Sequence, residues 1–533
     1  MSFGRLLGAI RWAPVAAACV YVFVVVRRLP DIVGQLTWNA DYVSQMAIAE
    51  WVGTAGLPHR AVVIQLGYFW FDLATRPLPF HVTVWEYAPS FMAALTVAAI
   101  AWAAWRLAGL YAAFLAAALS VAASPLALST EVAQAYHGTT WFGAALCAAY
   151  LAWLLTTGAS RRLLVVVSVA VGLAVGFLTA SDPLLGPTGD APIVAALVLG
   201  RWARPKEVTR RRLAAAGVMA LTAVLSAGAT VVGGRALGFT SSFPRGLTHF
   251  VTREHFAGNV RQLASGVFEV AGNENGSALG IALGVVLLAG ILVAMVWLIR
   301  SVRGTMPAPL LATLAFWSFT AVFVAAAFLL SDIPADFLET SSRYLVSMFF
   351  VAAATVPLWV GDRAIRGAIV AAPAALLILT NAASVDRDAR AGNFEPIFSF
   401  ALDAPISFLD SHGLSYGYAA YDEASPLSLK TDFHVHVYPV TEWFVTEGDT
   451  CGPPPQGAVC PYAYNSVSDW YSGHSGPSFI LVDTYMYRLN HAPPPTLDHV
   501  TATYQFGRFT VLVYDDDVAS HMGTPVRFKR PLI

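Results

Sequence analysis

The sequence predicts a polytopic α-helical membrane protein of about eleven transmembrane helices, closed by a C-terminal soluble α/β domain. Three observations carry that prediction. Apolar residues make up 57% of the chain and charged ones 12%, with a mean hydropathy of +0.60, outside the range of an ordinary soluble domain. Apolar runs long enough to cross a bilayer, about 20 residues each, recur from residue 12 to about residue 385. After residue 386 the period changes to short β-type runs separated by Pro, Gly, Asn and Ser. A net charge of −1 offers no basic field to nucleic acid, so that class of partner is set aside. The Ala-, Val- and Arg-rich usage is a bias common in high-GC bacteria such as actinomycetes.

The predicted spans lie near 12–29, 88–106, 109–128, 139–157, 163–180, 183–200, 213–232, 277–300, 308–330, 343–360 and 367–385. The first has no small-residue cleavage site behind it and reads as a signal anchor. Arg and Lys near the span ends set the orientation. With the N-terminus in the cytoplasm, that side receives Arg5, Arg11, Arg106, Arg161, Arg162, the cluster from Arg201 to Arg212, Arg300, Arg303, Arg363 and Arg366. An odd number of spans then carries the C-terminal domain outside a multi-pass plasma-membrane protein. Nearly all acids before residue 386 fall on the same outer side, among them Asp41, Asp72, Glu86, Glu131, Asp182 and Asp332, and none sits at a span centre, where burial of charge costs most.

The transmembrane part, residues 1–385, is expected to carry two long external loops, at 30–87 and 233–276. In the first, "DYVSQMAIAEWV" has apolar residues at helical spacing and is expected to lie in the interface as an amphipathic helix. The second mixes Phe and Leu with Arg245, His249, Arg253, His255 and Arg261, cations suited to lipid phosphate. The external domain, 386–533, contains the strand-like runs "HVHVYPV", "SFILVDTY" and "RFTVLVYDDD", and a helix that should end at His412 and Gly413. Cys451 and Cys460 bracket "CGPPPQGAVC", a spacing that suits a disulfide-closed loop outside the membrane, whereas Cys19 and Cys147 read as small core residues.

Several acids converging on one membrane face make a candidate site. Asp41, in "TWNADY", follows the first span directly; either it or Asn39 can cap the helix that begins there. Asp72 and Glu86 are the alternative carboxylates. His137 begins a span beside a glycine and reads either as a satisfied helix-end histidine or as a donor to an anionic group. Arg27 and Arg28 break the positive-inside rule, through binding of an anionic lipid head or through snorkelling from a short span. Trp38, Tyr42, Trp85 and Asp182 stand at the same face as candidates to contact an acceptor. The clustered tyrosines of "SYGYAAYDEASPL" and "YAYNSVSDWY" read as loop and core, or as a glycan-binding surface.

This pattern resembles the GT-C superfamily of membrane glycosyltransferases, which use polyprenyl-phosphate sugars and include protein O-mannosyltransferases and bacterial aminoarabinose transferases. "WNADY" matches the position of the superfamily's catalytic acid, and "SSRYLVSMFF" looks like the "RYL" that opens a late span. "GLAVGFLTASDPLLG" resembles a recurrent span end. The resemblance implies that Asp41 is a general base and that Arg343 and Tyr344 lie near the donor phosphate; His137, Arg27, Arg28 and Arg261, read from their own positions, are candidates for further phosphate or lipid contacts. It implies inverting transfer of a sugar from a polyprenyl-phosphate donor to a glycan, glycolipid or protein acceptor in the cell envelope. No cofactor is required on that reading. In the oligosaccharyltransferase branch two acids share an ion, and Asp41 and Asp72 would then hold magnesium or manganese as hard oxygen ligands. The competing classes are a transporter or flippase of lipid-linked intermediates, which would place ionisable groups at the bilayer midplane, and a noncatalytic assembly subunit.

Overall fold

The apolar runs form helices because a chain in lipid must satisfy its own backbone. The computed structural model describes residues 3–63, 65–133, 137–241, 251–272, 278–331, 341–394, 402–441, 460–462, 465–471, 474–484 and 499–522. In chain order the first helices are α1 (Phe3–Ile10), α2 (Ala13–Leu36), α3 (Ala40–Ala55), α4 (Leu66–Thr75), α5 (His81–Ala108), α6 (Leu110–Val121), α7 (Pro125–Val132), α8 (Gly138–Thr156) and α9 (Arg161–Ser181). They are followed by α10 (Ala191–Ala203), α11 (Arg210–Ala236), α12 (Arg253–Val270), α13 (Ala278–Val302), α14 (Ala308–Leu330), α15 (Val346–Val360), α16 (Ala364–Ala391), α17 (Asp403–Ser411) and α18 (Tyr421–Lys430). The chain divides into two compact units. One comprises Met1–Ile32, Tyr87–Thr230 and Phe243–Phe394, the other Val33–Glu86, Val231–Ser242 and Glu395–Ile533.

Among the described residues nine helices are long and apolar enough to cross a membrane, or ten if one bent pair is a single span, against the eleven expected. The run at 183–200 accounts for the difference. Its first half, rich in Pro and Gly, forms a wide turn over Gly186–Asp190, and α10 retains 13 residues, short of the bilayer's thickness. The run at 109–128 is broken rather than continuous. Ser124 caps a new helix, its Oγ accepting from the Ala127 amide at 3.2 Å with Pro125 in the first turn, and α7 leaves α6 at 93°. The break frees carbonyls, and two other helices supply their donors: the Tyr21 hydroxyl donates to Ala123 O at 2.7 Å, and the Asn381 amide to Ala122 O at 2.8 Å. Glu131, expected on an external connection, is instead buried on α7.

Small residues set the packing in this unit. Gly172 and Gly176 stand one turn apart on α9, where an added Cβ would come within 2.5 Å of Met219 O and 2.1 Å of Ala223 O on α11. This is the close backbone approach that small residues four apart permit between membrane helices. Asn259 of α12 fastens the end of α14, its amide reaching the carbonyls of Phe328, Leu329 and Ser331 at 3.4, 3.2 and 2.9 Å. Arg253, His255 and Arg261 are exposed on α12, while Arg245 and His249 lie outside the described residues.

The second unit is built on a six-stranded sheet. Its strands are β3 (Tyr416–Ala420), β4 (His436–Thr441), β5 (Cys460–Pro461), β7 (Ser478–Asp483), β8 (Ala502–Phe506) and β9 (Phe509–Tyr514), in the order β5-β4-β3-β7-β9-β8. Strand β3 runs parallel to β4 and β7, and β9 pairs antiparallel with β7 and β8. Leu409, Leu427, Phe479 and Val511 lie in its core, with Trp38 packed against it. A smaller sheet joins β1 (Ala61–Val63) to β2 (Phe239–Ser241) and β6 (Ser466–Val467). Helix α17 ends where the sequence places the stop, at His412, with Gly413 left-handed at φ 63°.

One expectation about this unit is corrected. Helix α3 is not an amphipathic interfacial helix: Tyr42, Val43, Ser44, Gln45, Met46, Ile48, Ala49 and Val52 are all buried, on every face. It packs against α18 and α4, and a helix covered all round needs no apolar stripe.

Candidate active site

Asp41 lies in the first turn of α3, where a carboxylate favours the positive end of the helix. Asn39, not Asp41, is the cap: its side-chain oxygen accepts from the Asp41 amide at 2.9 Å. That leaves the Asp41 side chain to other partners. The Tyr421 hydroxyl, at the start of α18, donates to Asp41 Oδ1 at 2.7 Å, and the Asn465 amide donates to the Tyr421 oxygen at 2.9 Å. No described residue makes a hydrogen bond to Oδ2, and Asp41 remains partly exposed. One oxygen is anchored and the other has no hydrogen bond from a described residue.

The other candidates of this unit are more enclosed. Tyr42 is buried with its hydroxyl on Glu86 O at 2.5 Å, and Trp85 is fully buried, donating to Thr75 Oγ1 at 2.8 Å. Asp72 is 0% exposed on α4. Trp38 is half-buried, and the Lys430 ammonium sits 4.7 Å from its ring centre while donating to Thr37 Oγ1 at 2.6 Å. Burial pushes the Lys430 ammonium below its ordinary value, opposed by the negative charges of Glu86 and Asp403. Glu50 binds Arg76 through both oxygens, at 2.8 and 3.2 Å, with His81 at 3.3 Å from the same carboxylate.

The tyrosines of β3 form a core network. Tyr416 and Tyr418 share a 2.5 Å hydroxyl contact, and Tyr418 donates to Asp517 at 2.9 Å. Tyr438 and Trp470 stack 4.7 Å apart, both buried. Cys460 is disulfide-bonded; Cys451 lies outside the described residues.

In the first unit the structure brings together His137, Asp182, Tyr344 and Arg343. Asp182 ends α9, and its carboxylate accepts from His137 Nδ1 and Thr140 Oγ1, both at 2.5 Å, and from the Leu184 amide at 3.0 Å. Burial alone would raise the Asp182 carboxyl, but the His137 charge and these hydrogen bonds hold it below the usual range. The His137 ring lies 5.0 Å from Tyr344, and the Arg343 guanidinium 5.3 Å from the same ring. Arg343 and Tyr344 occupy a 3-10 turn, Ser341–Leu345, that opens α15; Ser342 hydrogen-bonds Glu269 of α12. Arg28 binds Asp386 at 2.8 Å and Asp31 at 3.1 Å, and Asp386 also takes Arg390 at 2.6 Å. Arg27 and Arg261 are exposed.

Sequence reasoning did not single out Tyr421, Asn465, Thr140 or Lys430 as site residues. Tyr421 stood in the quoted tyrosine-rich stretch, but nothing local to it points to a partner 380 positions away. Asp41 Oδ1 is engaged by Tyr421 and Asp72 is fully buried. Among the described residues no three His, Cys, Asp or Glu side chains gather as a group able to hold a metal.

No family model and no curated protein matches the chain. Among solved structures it is similar to ArnT from Cupriavidus metallidurans bound to undecaprenyl phosphate, with a TM-score of 0.50 and 15% identity over 94% of this chain and 98% of that one. The apo state of the same ArnT gives a TM-score of 0.44 and 16% identity, over 95% and 99%. Nearly the whole of both chains enters the first superposition. The chain therefore has the fold of that ArnT, with many membrane-type helices and a sheet-containing C-terminal region.

Proposed function

We propose that the protein transfers a sugar from a polyprenyl-phosphate donor to a hydroxyl of a cell-envelope glycan, glycolipid or protein, on the extracytoplasmic face and with inversion. The observation that carries this reading is the Asp41 carboxylate, anchored through Oδ1 and open at Oδ2, in a chain with the ArnT fold. ArnT was crystallised with undecaprenyl phosphate, a lipid phosphate of the class that such a donor would release.

A polyprenyl phosphate leaves readily, so the protein's work is to deprotonate the acceptor, stabilise charge on the departing phosphate and hold both in line. Asp41 Oδ2 accepts the acceptor's proton as the acceptor oxygen forms its bond to the anomeric carbon. The bond from that carbon to the phosphate oxygen breaks, and the electron pair leaves with the phosphate. A single displacement of this kind inverts the anomeric centre. Arg343, with two N–H groups suited to two phosphate oxygens, is assigned to the donor phosphate together with Tyr344 and His137. Asp182 is assigned to hold His137 through Nδ1, which fixes the orientation of the ring. Exposed Arg27 and Arg261 are assigned to lipid headgroups. We propose transfer without a metal ion, so a chelator leaves the rate unchanged.

The test is to incubate the purified protein with a synthetic polyprenyl-phosphate sugar and an envelope extract, and to measure free polyprenyl phosphate and labelled product. Release of lipid phosphate with a new, inverted glycosidic bond is expected. Movement of intact lipid-linked sugar across proteoliposomes without cleavage would identify a flippase, and neither activity would identify an assembly subunit.

A further inference from the structure

We infer that Tyr421 and Asn465 are positioning residues for the Asp41 carboxylate, fixing its rotation so that Oδ2 alone is presented to the acceptor hydroxyl. The inference rests on the reading of Asp41 as the base and adds to it two residues from the far end of the sequence.

A lone carboxylate turns about its last bond, and its two oxygens exchange places. A general base works through one lone pair in line with one proton, so that freedom lowers the share of productive geometries. Here the Tyr421 hydroxyl donates to Oδ1 at 2.7 Å, the length of a charge-assisted bond. The hydroxyl has one hydrogen, and the amide that faces it from Asn465 at 2.9 Å is a donor. The Tyr421 oxygen must therefore accept from Asn465 and direct its own hydrogen to Asp41. The chain of donors runs one way, each bond polarising the next.

Both residues are held by regular structure. Tyr421 is the first residue of α18, which packs along α3, the helix that carries Asp41. Asn465 is fully buried with φ at 45°, in the left-handed region that Asn tolerates better than most side chains. The residues after it form β6, paired with β1 through Ala61↔Val467 and Val62↔Ser466. Asp469 then takes the His59 amide at 3.0 Å and the His59 ring at 2.8 Å. The segment that carries Asn465 is thus clamped beyond it, and the amide cannot drift from the Tyr421 oxygen without breaking these pairs.

The test compares purified full-length wild type, Tyr421→Phe, Asn465→Asp and the double variant in steady-state transfer. Tyr421→Phe removes the donor and keeps the ring; kcat is expected to fall about 10- to 100-fold, with KM for donor and acceptor within about twofold. Asn465→Asp is isosteric but offers an acceptor, which draws the tyrosine hydrogen away from Asp41, so it should lose about as much kcat as Tyr421→Phe. Because Asn465 acts through Tyr421, the double variant should be no slower than Tyr421→Phe alone. Wild-type kcat in Tyr421→Phe, a loss confined to KM, or additive losses in the double variant would overturn the positioning role. If Tyr421→Phe fails to accumulate, Asn465→Asp carries the same test. Asp41→Asn separates the two layers: if it is inactive while Tyr421→Phe is normal, the positioning role fails and the base assignment stands; if it is fully active, the base assignment itself fails.

Discussion

Replacing Asp182 with Asn should destabilise the protein by about 2 to 3 kcal/mol at neutral pH. The Asp182 carboxylate accepts three hydrogen bonds, from His137, Thr140 and the Leu184 amide, with side-chain exposures of only 12% and 6% for His137 and Asp182. Asn keeps an acceptor for Leu184 but loses its charge. The Asn amide N–H then stands where Oδ2 accepted from both His137 and Thr140, so those two bonds survive only with their direction reversed, and fall from charge-assisted, about 1.5 to 3 kcal/mol, to neutral, about 0.5 to 1.5 kcal/mol. Two such differences give the stated loss. The pH dependence follows from the sign of the Asp182 shift. Its carboxyl is held below the ordinary range in the folded protein, so the stability it contributes is fully present above the unfolded value, about 3.9, and is lost as pH falls through the lowered folded value. Thermal midpoints of wild type and Asp182→Asn in detergent, measured from about pH 7 down to about pH 3, should differ by a constant amount at the upper end and converge at the lower. Equal midpoints at pH 7, or a gap that stays unchanged at the acid end, would refute the pairing.

Two further perturbations address the membrane unit. Gly176→Ala puts a methyl 2.1 Å from Ala223 O, so α9 and α11 must separate; a loss of about 1 to 3 kcal/mol is expected, whereas Gly228→Ala, with nothing within 4 Å, should be neutral, and equal midpoints for the two variants would contradict the close contact. Asn381→Ala strips the donor from Ala122 O at the α6–α7 break, and should cost about 1 to 3 kcal/mol, read as a lower midpoint than that of the exposed control Ser407→Ala.

What was legible in the sequence is what depends on neighbours along the chain. The span runs, the strand runs and the stop at His412 and Gly413 each follow from local period and turn chemistry. Asp41 could be singled out as a candidate because one acid directly after the first span stands out against apolar surroundings. Its hydrogen bond to Tyr421 could not, since that hydroxyl lies 380 positions on and a tyrosine in a tyrosine-rich stretch gives no sign of its partner. The same holds for Arg28, whose partner Asp386 lies 358 positions away. The α6–α7 break was hidden because "AASPLAL" is apolar enough to continue a span; only the Ser-Pro pair in it can open a new helix, and the Tyr21 and Asn381 donors that make the break tolerable come from elsewhere. Helix α3 misled in the opposite sense: apolar residues at helical spacing suggest a stripe, but the helix is covered on the remaining faces too.

The most direct test of the central claim is the rate of sugar transfer from a polyprenyl-phosphate donor by purified wild-type protein and by Asp41→Asn, which keeps the side chain's shape and its Oδ1 acceptor for Tyr421 while removing the basic oxygen. The account predicts that the variant folds, with a midpoint lowered by no more than the loss of charge on one hydrogen bond, and loses about 10² to 10⁴ in kcat. Wild-type turnover in Asp41→Asn would contradict it.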